Sequence, residues 1–210
     1  GDREVSAWTG PLLAMSLALA GCAGSLREAS AAAPETYRLA GESLPDRGER
    51  LPLAISVARP GAAPALDTDR VAVVQPDSRF DYFAGVRWSE PAPQMLQQQL
   101  VRALAADGRF EAVVAAPSRV PADLLLDVEL RRFEAVYAAN GGAPEVRVEM
   151  QVSLVDPRKG RRQASFLVAA SSPADTNRLA AVVAAFDRAT SEAVRSAVDQ
   201  VRAAAVTAAR

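Results

Sequence analysis

The chain has 210 residues, with 24 basic and 25 acidic side chains, one cysteine, no histidine and a formal net charge of −1. Without histidine it has no Ser-His or Cys-His nucleophile pair and no imidazole metal ligand. A single cysteine excludes an internal disulfide and a multi-cysteine zinc site. The near-zero charge argues against a nucleic-acid partner. We therefore expect a protein that is not an enzyme and has no cofactor and no metal.

Residues 11–20 form an uncharged apolar run that is followed by Gly21 and Cys22. Ten residues are too few for a helix that crosses a bilayer, but they match the length of a signal-peptide apolar region. The ending Leu19-Ala20-Gly21-Cys22 resembles the lipobox of bacterial lipoproteins. This resemblance implies a signal peptide over residues 1–21 and a diacylglycerol and a fatty acyl chain such as palmitate on Cys22.

The lipobox resemblance also implies a location. Two or three acyl chains hold a protein firmly on a membrane, whereas one chain holds it marginally. Ala23, rather than aspartate, follows the cysteine, which by similarity to enterobacterial sorting favours the periplasmic face of the outer membrane. The alternative to lipidation is that Cys22 is an unmodified, buried structural cysteine. Asp2 and Glu4 beside Arg3 depart from the positive start of most secretion signals.

The sequence after the cysteine separates into a tether and a domain. Residues 22–36 are rich in alanine and serine without apolar periodicity, which predicts a flexible tether. The globular domain is predicted over residues 37–210. Its length suits a single hydrophobic core.

The domain shows alternating strand patterns and two amphipathic helix patterns. Pro60 to Pro64 are expected to end the first strand, Asp107-Gly108 the first helix, and Asn140-Gly141-Gly142 to form a turn. The second helix is expected to begin near Asp175 or Thr176. Predicted strands cover 51–58, 70–75, 80–88, 110–115, 124–131, 146–154 and 164–168, with the first helix beginning near Ser89 and Pro91.

These elements predict an α+β fold in the order β-β-β-α-β-β-β-β-α. The strands from residue 124 onward are joined by short turns and alternate apolar with polar residues, which is typical of an antiparallel meander with one wet face. The fold class is therefore a two-layer sandwich, with a mostly antiparallel or mixed sheet and both amphipathic helices on one face.

Several segments of the domain resemble one family, the ABC-type transport auxiliary lipoproteins of the PqiC-like group. The segments are Tyr37-Arg38-Leu39, the residues 64–72, Phe80 to Ser89 running into Pro91 to Leu96, and Ala184-Ala185-Phe186. The resemblance covers essentially the whole domain, and Arg87-Trp88 is its most specific part. It implies a domain similar to that of TolB-like proteins, and a non-enzymatic lipoprotein that partners an MCE-domain protein in moving phospholipids or other hydrophobic molecules between membranes.

Three residues are candidates for binding that partner: Tyr82, Arg87 and Trp88. Aromatic side chains and arginine anchor many protein interfaces. For Trp88 and its aromatic neighbours, packing in the core beside the first helix is the stronger interpretation. The oligomeric state is left open, with a homo-oligomer included.

Two groups of acidic residues also have a functional and an ordinary interpretation. Asp67, Asp69, Asp77 and Asp81 could suggest a cation site, but they lack a calcium-loop register and fit turns and strand ends. Asp127 and Glu129 could suggest glycosidase carboxylates, but they fit a solvated sheet face.

Two function classes remain. One is a subunit of a lipid transporter, and the alternative is an envelope scaffold or a regulator of a cell-wall enzyme.

Overall fold

The computed structural model describes residues 33–41 and 50–208. The predicted signal peptide, Cys22 and most of the predicted tether lie outside these residues. Nine strands and two helices are present in the described part. They are β1 Glu35–Tyr37, β2 Leu51–Val57, β3 Gly61–Ala62, β4 Arg70–Val74, β5 Phe80–Trp88, α1 Ala92–Ala106, β6 Phe110–Ala115, β7 Leu124–Val136, β8 Glu145–Asp156, β9 Arg161–Pro173 and α2 Leu179–Ala208.

Strand β7 is the spine of a mixed sheet. One side of β7 pairs with antiparallel β8, which in turn pairs with antiparallel β9. The other side is shared by three parallel strands in succession: β2 at the start of β7, β3 in the middle and β4 at its end. Strand β6 extends the sheet beyond β2, while β5 and β1 extend it beyond β4. The predicted meander is confirmed, and the sheet around it is mixed.

The alternating apolar residues of β7 and β8 bury one face of the sheet. Leu126 and Leu130 of β7 and Val148 and Met150 of β8 are at most 1% exposed. Both helices cover this face: α1 packs on β2 and β6, and α2 packs on β8, β9 and α1. The predicted two-layer α+β sandwich, with both helices on one side, is therefore confirmed. The opposite face carries the charged residues of the alternation.

Two strands and one helix boundary differ from the sequence-based prediction. Strand β1 begins at Glu35, inside the predicted tether, because it pairs with β5. Strand β3 lies within the stretch that was expected only to end β2, because Gly61 and Ala62 pair with β7. Helix α2 begins at Leu179 rather than near Asp175 or Thr176. The preceding bend is held in place by Tyr137, whose hydroxyl donates to Asn177 Oδ1 at 2.6 Å.

The segment that follows β1 is fixed between the two helices. Asp187 of α2 accepts hydrogen bonds from the backbone N–H groups of Ala40 and Gly41, at 2.9 and 3.2 Å. Gln99 of α1 donates to the carbonyl oxygen of Leu39 at 3.3 Å. Gly41 has a φ of +71°, and a Cβ there would lie 2.0 Å from Gln99 Oε1. The chain therefore enters the domain along a defined path.

Glu134 on the polar sheet face gives a pH-dependent prediction. Its side chain is 13% exposed and lies 3.8 Å from Arg132. Burial raises the pKa of Glu134, an effect that Arg132 and Arg147 partly oppose and Glu149 reinforces. A raised pKa in the folded state contributes stability below the unfolded value, near 4.5, and this stability is lost as pH rises through the folded pKa.

Replacing Glu134 with glutamine removes this titration. We expect Glu134→Gln to be more stable than wild type at pH 7, by up to about 1 kcal/mol, and to lose that advantage below pH 4.5. Urea unfolding across this pH range measures the difference. Glu129→Gln, at an exposed carboxylate on the same face of β7, is the matched control. An advantage of Glu134→Gln that grows as pH falls would contradict the prediction.

Candidate interaction surface

Two neighbouring candidate residues at the end of β5, Arg87 and Trp88, lie on opposite sides of the sheet. Trp88 is 2% exposed and packs on the helix side, whereas the side chain of Arg87 is 50% exposed on the other side. Successive side chains of a strand point to opposite faces, which explains the separation. The structure therefore does not join the three sequence candidates into one surface.

Trp88 belongs to an aromatic cluster in the core. Its ring centroid lies 5.7 Å from that of Phe133 and 5.1 Å from that of Phe186, and these two phenylalanine rings are 4.9 Å apart. The cluster joins β5, β7 and α2. The prediction that Trp88 binds a partner is wrong, because its indole ring is buried and cannot contact another protein. The alternative interpretation, packing in the core, describes this residue.

Arg87 is held by a carboxylate at the start of β4. Its Nη1 donates to both oxygens of Asp69, each at 2.8 Å. The backbone supports this pair, since the N–H of Trp88 donates to the carbonyl oxygen of Asp69 at 2.7 Å. Because both side chains remain at least one-third exposed, the pair contributes little to stability. It does orient a guanidinium edge at the surface.

A bulge in β5 lies between Tyr82 and Arg87. Arg87 lies opposite Arg70, and Tyr82 lies opposite Ala72, so five residue steps on β5 face only two on β4. Gly85 lies inside the bulge with a φ of +69°, a conformation that favours glycine. The two candidates therefore lie opposite positions of β4 that are only two residues apart, although five positions separate them in sequence.

Tyr82 is fixed in position by three contacts. The guanidinium carbon of Arg70 lies 3.7 Å from the centre of the Tyr82 ring, a cation–π contact. The Tyr82 hydroxyl donates to the carbonyl oxygen of Ala65 at 3.0 Å. Phe80 packs edge-on against the ring with centroids 5.4 Å apart, and it is 38% exposed. An aromatic pair is thus held rigidly beside two arginines.

We name this group the β4–β5 surface, defined by Asp69, Arg70, Phe80, Tyr82 and Arg87. It combines exposed aromatic area with guanidinium groups that are already oriented, which are features of protein-binding sites. It contains no nucleophile and base pair. Arg70 and Phe80 are not among the binding residues predicted from the sequence. The period-2 relation of Phe80 to Tyr82 was an available signal, whereas the position of Arg70 depends on the strand register.

The aspartates near this surface have ordinary partners. Asp67 pairs with Arg59 at 2.5 Å, and hydrogen bonding to this arginine lowers the pKa of Asp67. Asp77 and Asp81 accept hydrogen bonds from the backbone N–H groups of Arg79 and Tyr82. Within residues 33–41 and 50–208, no group of three or more acidic or cysteine side chains is arranged to hold a metal ion. The turn and strand-end interpretation accounts for these aspartates.

The other acidic pair lies on the polar face of β7. Asp127 and Glu129 are exposed, and Glu129 lies 3.4 Å from Arg131. Their solvated positions agree with the ordinary interpretation.

Among the helices of the described part, none is both long and apolar enough to cross a membrane.

The fold defines the class of protein: an α+β domain of two layers, with two helices on one face of a mixed sheet and charged residues on the other face. Comparison with protein families then gives a direct match. The model of the ABC-type transport auxiliary lipoprotein component matches residues 37–198. The chain belongs to this family, and it is an envelope lipoprotein associated with an ABC-type transporter.

Solved structures support the same fold. A DUF330-family protein from Xanthomonas campestris is 26% identical, with a TM-score of 0.76 over 82% of this chain and 97% of that protein. A second, uncharacterised protein is 15% identical, with a TM-score of 0.64 over 81% of this chain and 99% of its own. Among curated proteins, none matches the chain. The family resemblance and the α+β fold class predicted from the sequence are confirmed.

Proposed function

We propose that this protein is a binding or assembly subunit of an MCE-type system that moves phospholipids between the two membranes of the envelope. It is anchored through Cys22 to the periplasmic face of the outer membrane and contacts an MCE-domain protein. It performs no catalysis. The absence of histidine from the whole sequence supports a binding role over an enzymatic one.

The observation that carries the proposal is the family match over residues 37–198, together with the lipobox that ends at Cys22. The match supports a transport-associated lipoprotein. The lipobox supports a membrane anchor at a residue that precedes the matched residues in the sequence. We assign the partner contact to the β4–β5 surface, because it presents Phe80 and Arg87 to solvent in fixed positions.

Co-purification tests the partner. The full-length protein, carrying an affinity tag after its last residue, is extracted from envelopes with mild detergent and recovered with its bound proteins. We expect an MCE-domain protein to be enriched relative to an untagged strain. Recovery of the folded, lipidated protein without any MCE-domain protein would contradict the proposal.

Variants of the surface test the assigned contact. We expect the double change Tyr82→Ala and Arg87→Ala to reduce recovery of the partner by about 10-fold or more, the effect of losing interface anchors. The matched control is Glu129→Gln, which changes an exposed residue on the polar face of β7. Equal recovery of the MCE-domain protein with both variants would place the partner contact elsewhere. Circular dichroism of each purified variant tests whether it is folded.

The alternative, an envelope scaffold or a regulator of a cell-wall enzyme, predicts different bound proteins in the same experiment. Enrichment of a cell-wall enzyme without any MCE-domain protein would favour it. The family match to a transport component supports the first proposal.

A further inference from the structure

Strand β9 is a long edge of the sheet. It runs for 13 residues, Arg161–Pro173, and within the described part of the chain it pairs only with β8. Its ladder to β8 continues without irregularity from Glu145↔Pro173 to Leu154↔Ala164. A strand in this position presents a row of backbone N–H and C=O groups that another strand can pair with.

The interior of β9 lacks the features that usually prevent such pairing. Natural edge strands are blunted by charges, prolines, bulges or short length. Between positions 164 and 172 there is no charged residue and no proline, and the bulge in the ladder to β8 lies before this stretch, at Gln163. Arg161 and Arg162 lie at one end, and at the other end Arg188 of α2 donates to the carbonyl oxygen of Pro173 at 2.7 Å. Only the two ends of this strand are protected.

The middle of β9 carries an exposed apolar side chain. Leu167 is 50% exposed, and Ser165 and Ala169, its neighbours on the same face of the strand, are also exposed. Residues 161–173 place Leu167 at the midpoint of the strand. An exposed leucine between small residues on a straight edge can be covered by another strand without a steric conflict.

Strand β9 is complementary to itself. If two copies pair antiparallel about a two-fold axis at Leu167, Ser165 lies opposite Ala169 and Ala164 lies opposite Ala170, as far as the bulge at Gln163. No two like charges face each other along the strand. Beyond the strand ends each chain pairs its own charges, since Lys159 lies 3.6 Å from Asp156 and Asp175 lies 3.6 Å from Arg188. Neither end therefore carries an unpaired charge of these residues that would repel a second copy.

We propose that β9 is a dimerisation edge at which two copies of this chain pair antiparallel, with Leu167 of one protomer opposite Leu167 of the other. The pairing joins the β7–β8–β9 meanders of both copies into one sheet. It buries Leu167, the exposed leucine at the midpoint of the strand. The helices and the β4–β5 surface lie on other elements, so the proposal does not depend on the proposed function.

Cysteine cross-linking tests the pairing and its register. Residues directly opposite on antiparallel strands have Cα atoms about 4.5–5.5 Å apart, within the range that a disulfide spans. We expect full-length Leu167→Cys, oxidised in the envelope, to form a species of twice the mass that reducing agent removes. The yield should exceed that of Val120→Cys by about 10-fold or more; Val120 is 48% exposed and lies outside β9. The unsubstituted chain controls for Cys22.

The register is tested with two differently tagged copies, one carrying Ser165→Cys and the other Ala169→Cys. We expect the mixed pair to cross-link and Ser165→Cys alone to cross-link weakly, since two copies of position 165 would be about 13 Å apart along the strand. Failure of both Leu167→Cys and the mixed pair would overturn the proposal. So would equal yields from Leu167→Cys and Val120→Cys, or cross-linking of Leu167→Cys only to a different protein.

A second measurement does not depend on disulfide formation. We expect Leu167→Arg to remain folded, because Leu167 lies at the surface, and to shift the detergent-solubilised protein from dimer to monomer in light scattering. Leu167→Arg places two arginines opposite each other on the axis, where like charges repel. A dimer that persists unchanged in Leu167→Arg would also overturn the proposal.

Discussion

Trp88→Ala is expected to destabilise the domain by about 3–5 kcal/mol, the usual cost of removing a large aromatic side chain from a packed core. The ring is 2% exposed and lies within 5.7 Å of the Phe133 and Phe186 centroids. Its removal leaves a cavity where β5, β7 and α2 meet. Because domains of this size are stable by only about 5–15 kcal/mol, the loss is a large fraction of the total.

Urea unfolding of the purified variant measures the effect of Trp88→Ala. Trp88→Phe is the conservative comparison, and we expect it to cost only about 1–2 kcal/mol. The Trp88 Nε1 has no hydrogen-bond acceptor among the described residues, so phenylalanine loses packing volume but no hydrogen bond. Arg87→Ala, at the next position, is expected to cost about 1 kcal/mol or less. A normal unfolding midpoint for Trp88→Ala would show that the aromatic cluster does not stabilise the fold.

Cys22→Ser is expected to abolish lipid attachment. An oxygen in place of the sulfur removes the thioether through which the lipobox resemblance places the diacylglycerol. We expect radiolabelled palmitate to enter the wild-type protein and not Cys22→Ser, and we expect the variant to leave the membrane fraction. Retaining only one acyl chain would already make binding marginal, and the loss of all chains leaves no lipid anchor.

The domain itself provides the control for Cys22→Ser. Because the substituted residue precedes the folded domain, we expect the variant and the wild type to have the same unfolding midpoint. Equal incorporation of palmitate by both proteins would mean that another residue carries the lipid. Membrane association of an unlabelled Cys22→Ser protein would mean that a partner, and not the lipid, holds it there.

The parts of the fold that the sequence predicted are those with long periodic patterns. The alternation of Val146, Val148, Met150, Val152 and Leu154 predicts strand β8 and its buried face, and each of these residues is at most 1% exposed. The apolar stripes of α1 and α2 likewise predict which sides of the helices are buried. In such elements the local pattern and the tertiary packing require the same residues, so the sequence is sufficient.

The elements that the sequence did not predict depend on distant pairing. Strand β3 has two residues and β1 has three, which is too short for a period of two to be visible. They form because β7 and β5 offer free backbone groups beside them. The sequence predicts too early a start for α2, because Asp175 and Thr176 are residue types that often cap helices. In the structure the contact between Tyr137 and Asn177 holds a bend there, and the helix begins after it.

The candidate surface was predictable only in part. The alternation along β5 indicates that Arg87 and Trp88 face opposite sides, but it does not indicate which side is buried. That choice follows from the positions of Phe133 and Phe186, which come from two other elements. The contact of Arg70 with Tyr82 depends on the bulge that aligns Arg87 with Arg70. The residues of such a surface cannot be predicted from one strand alone, because the register between strands determines which of them are neighbours.

Photo-cross-linking in living cells tests the central claim most directly, namely that the β4–β5 surface contacts an MCE-domain protein. A benzophenone-bearing phenylalanine derivative replaces Tyr82, and the same derivative at Glu129 on the polar face of β7 is the control. We predict that illumination links the Tyr82 position, and not the Glu129 position, to the MCE-domain protein. A cross-link from Tyr82 only to a cell-wall enzyme, or equal links from both positions, would contradict the claim.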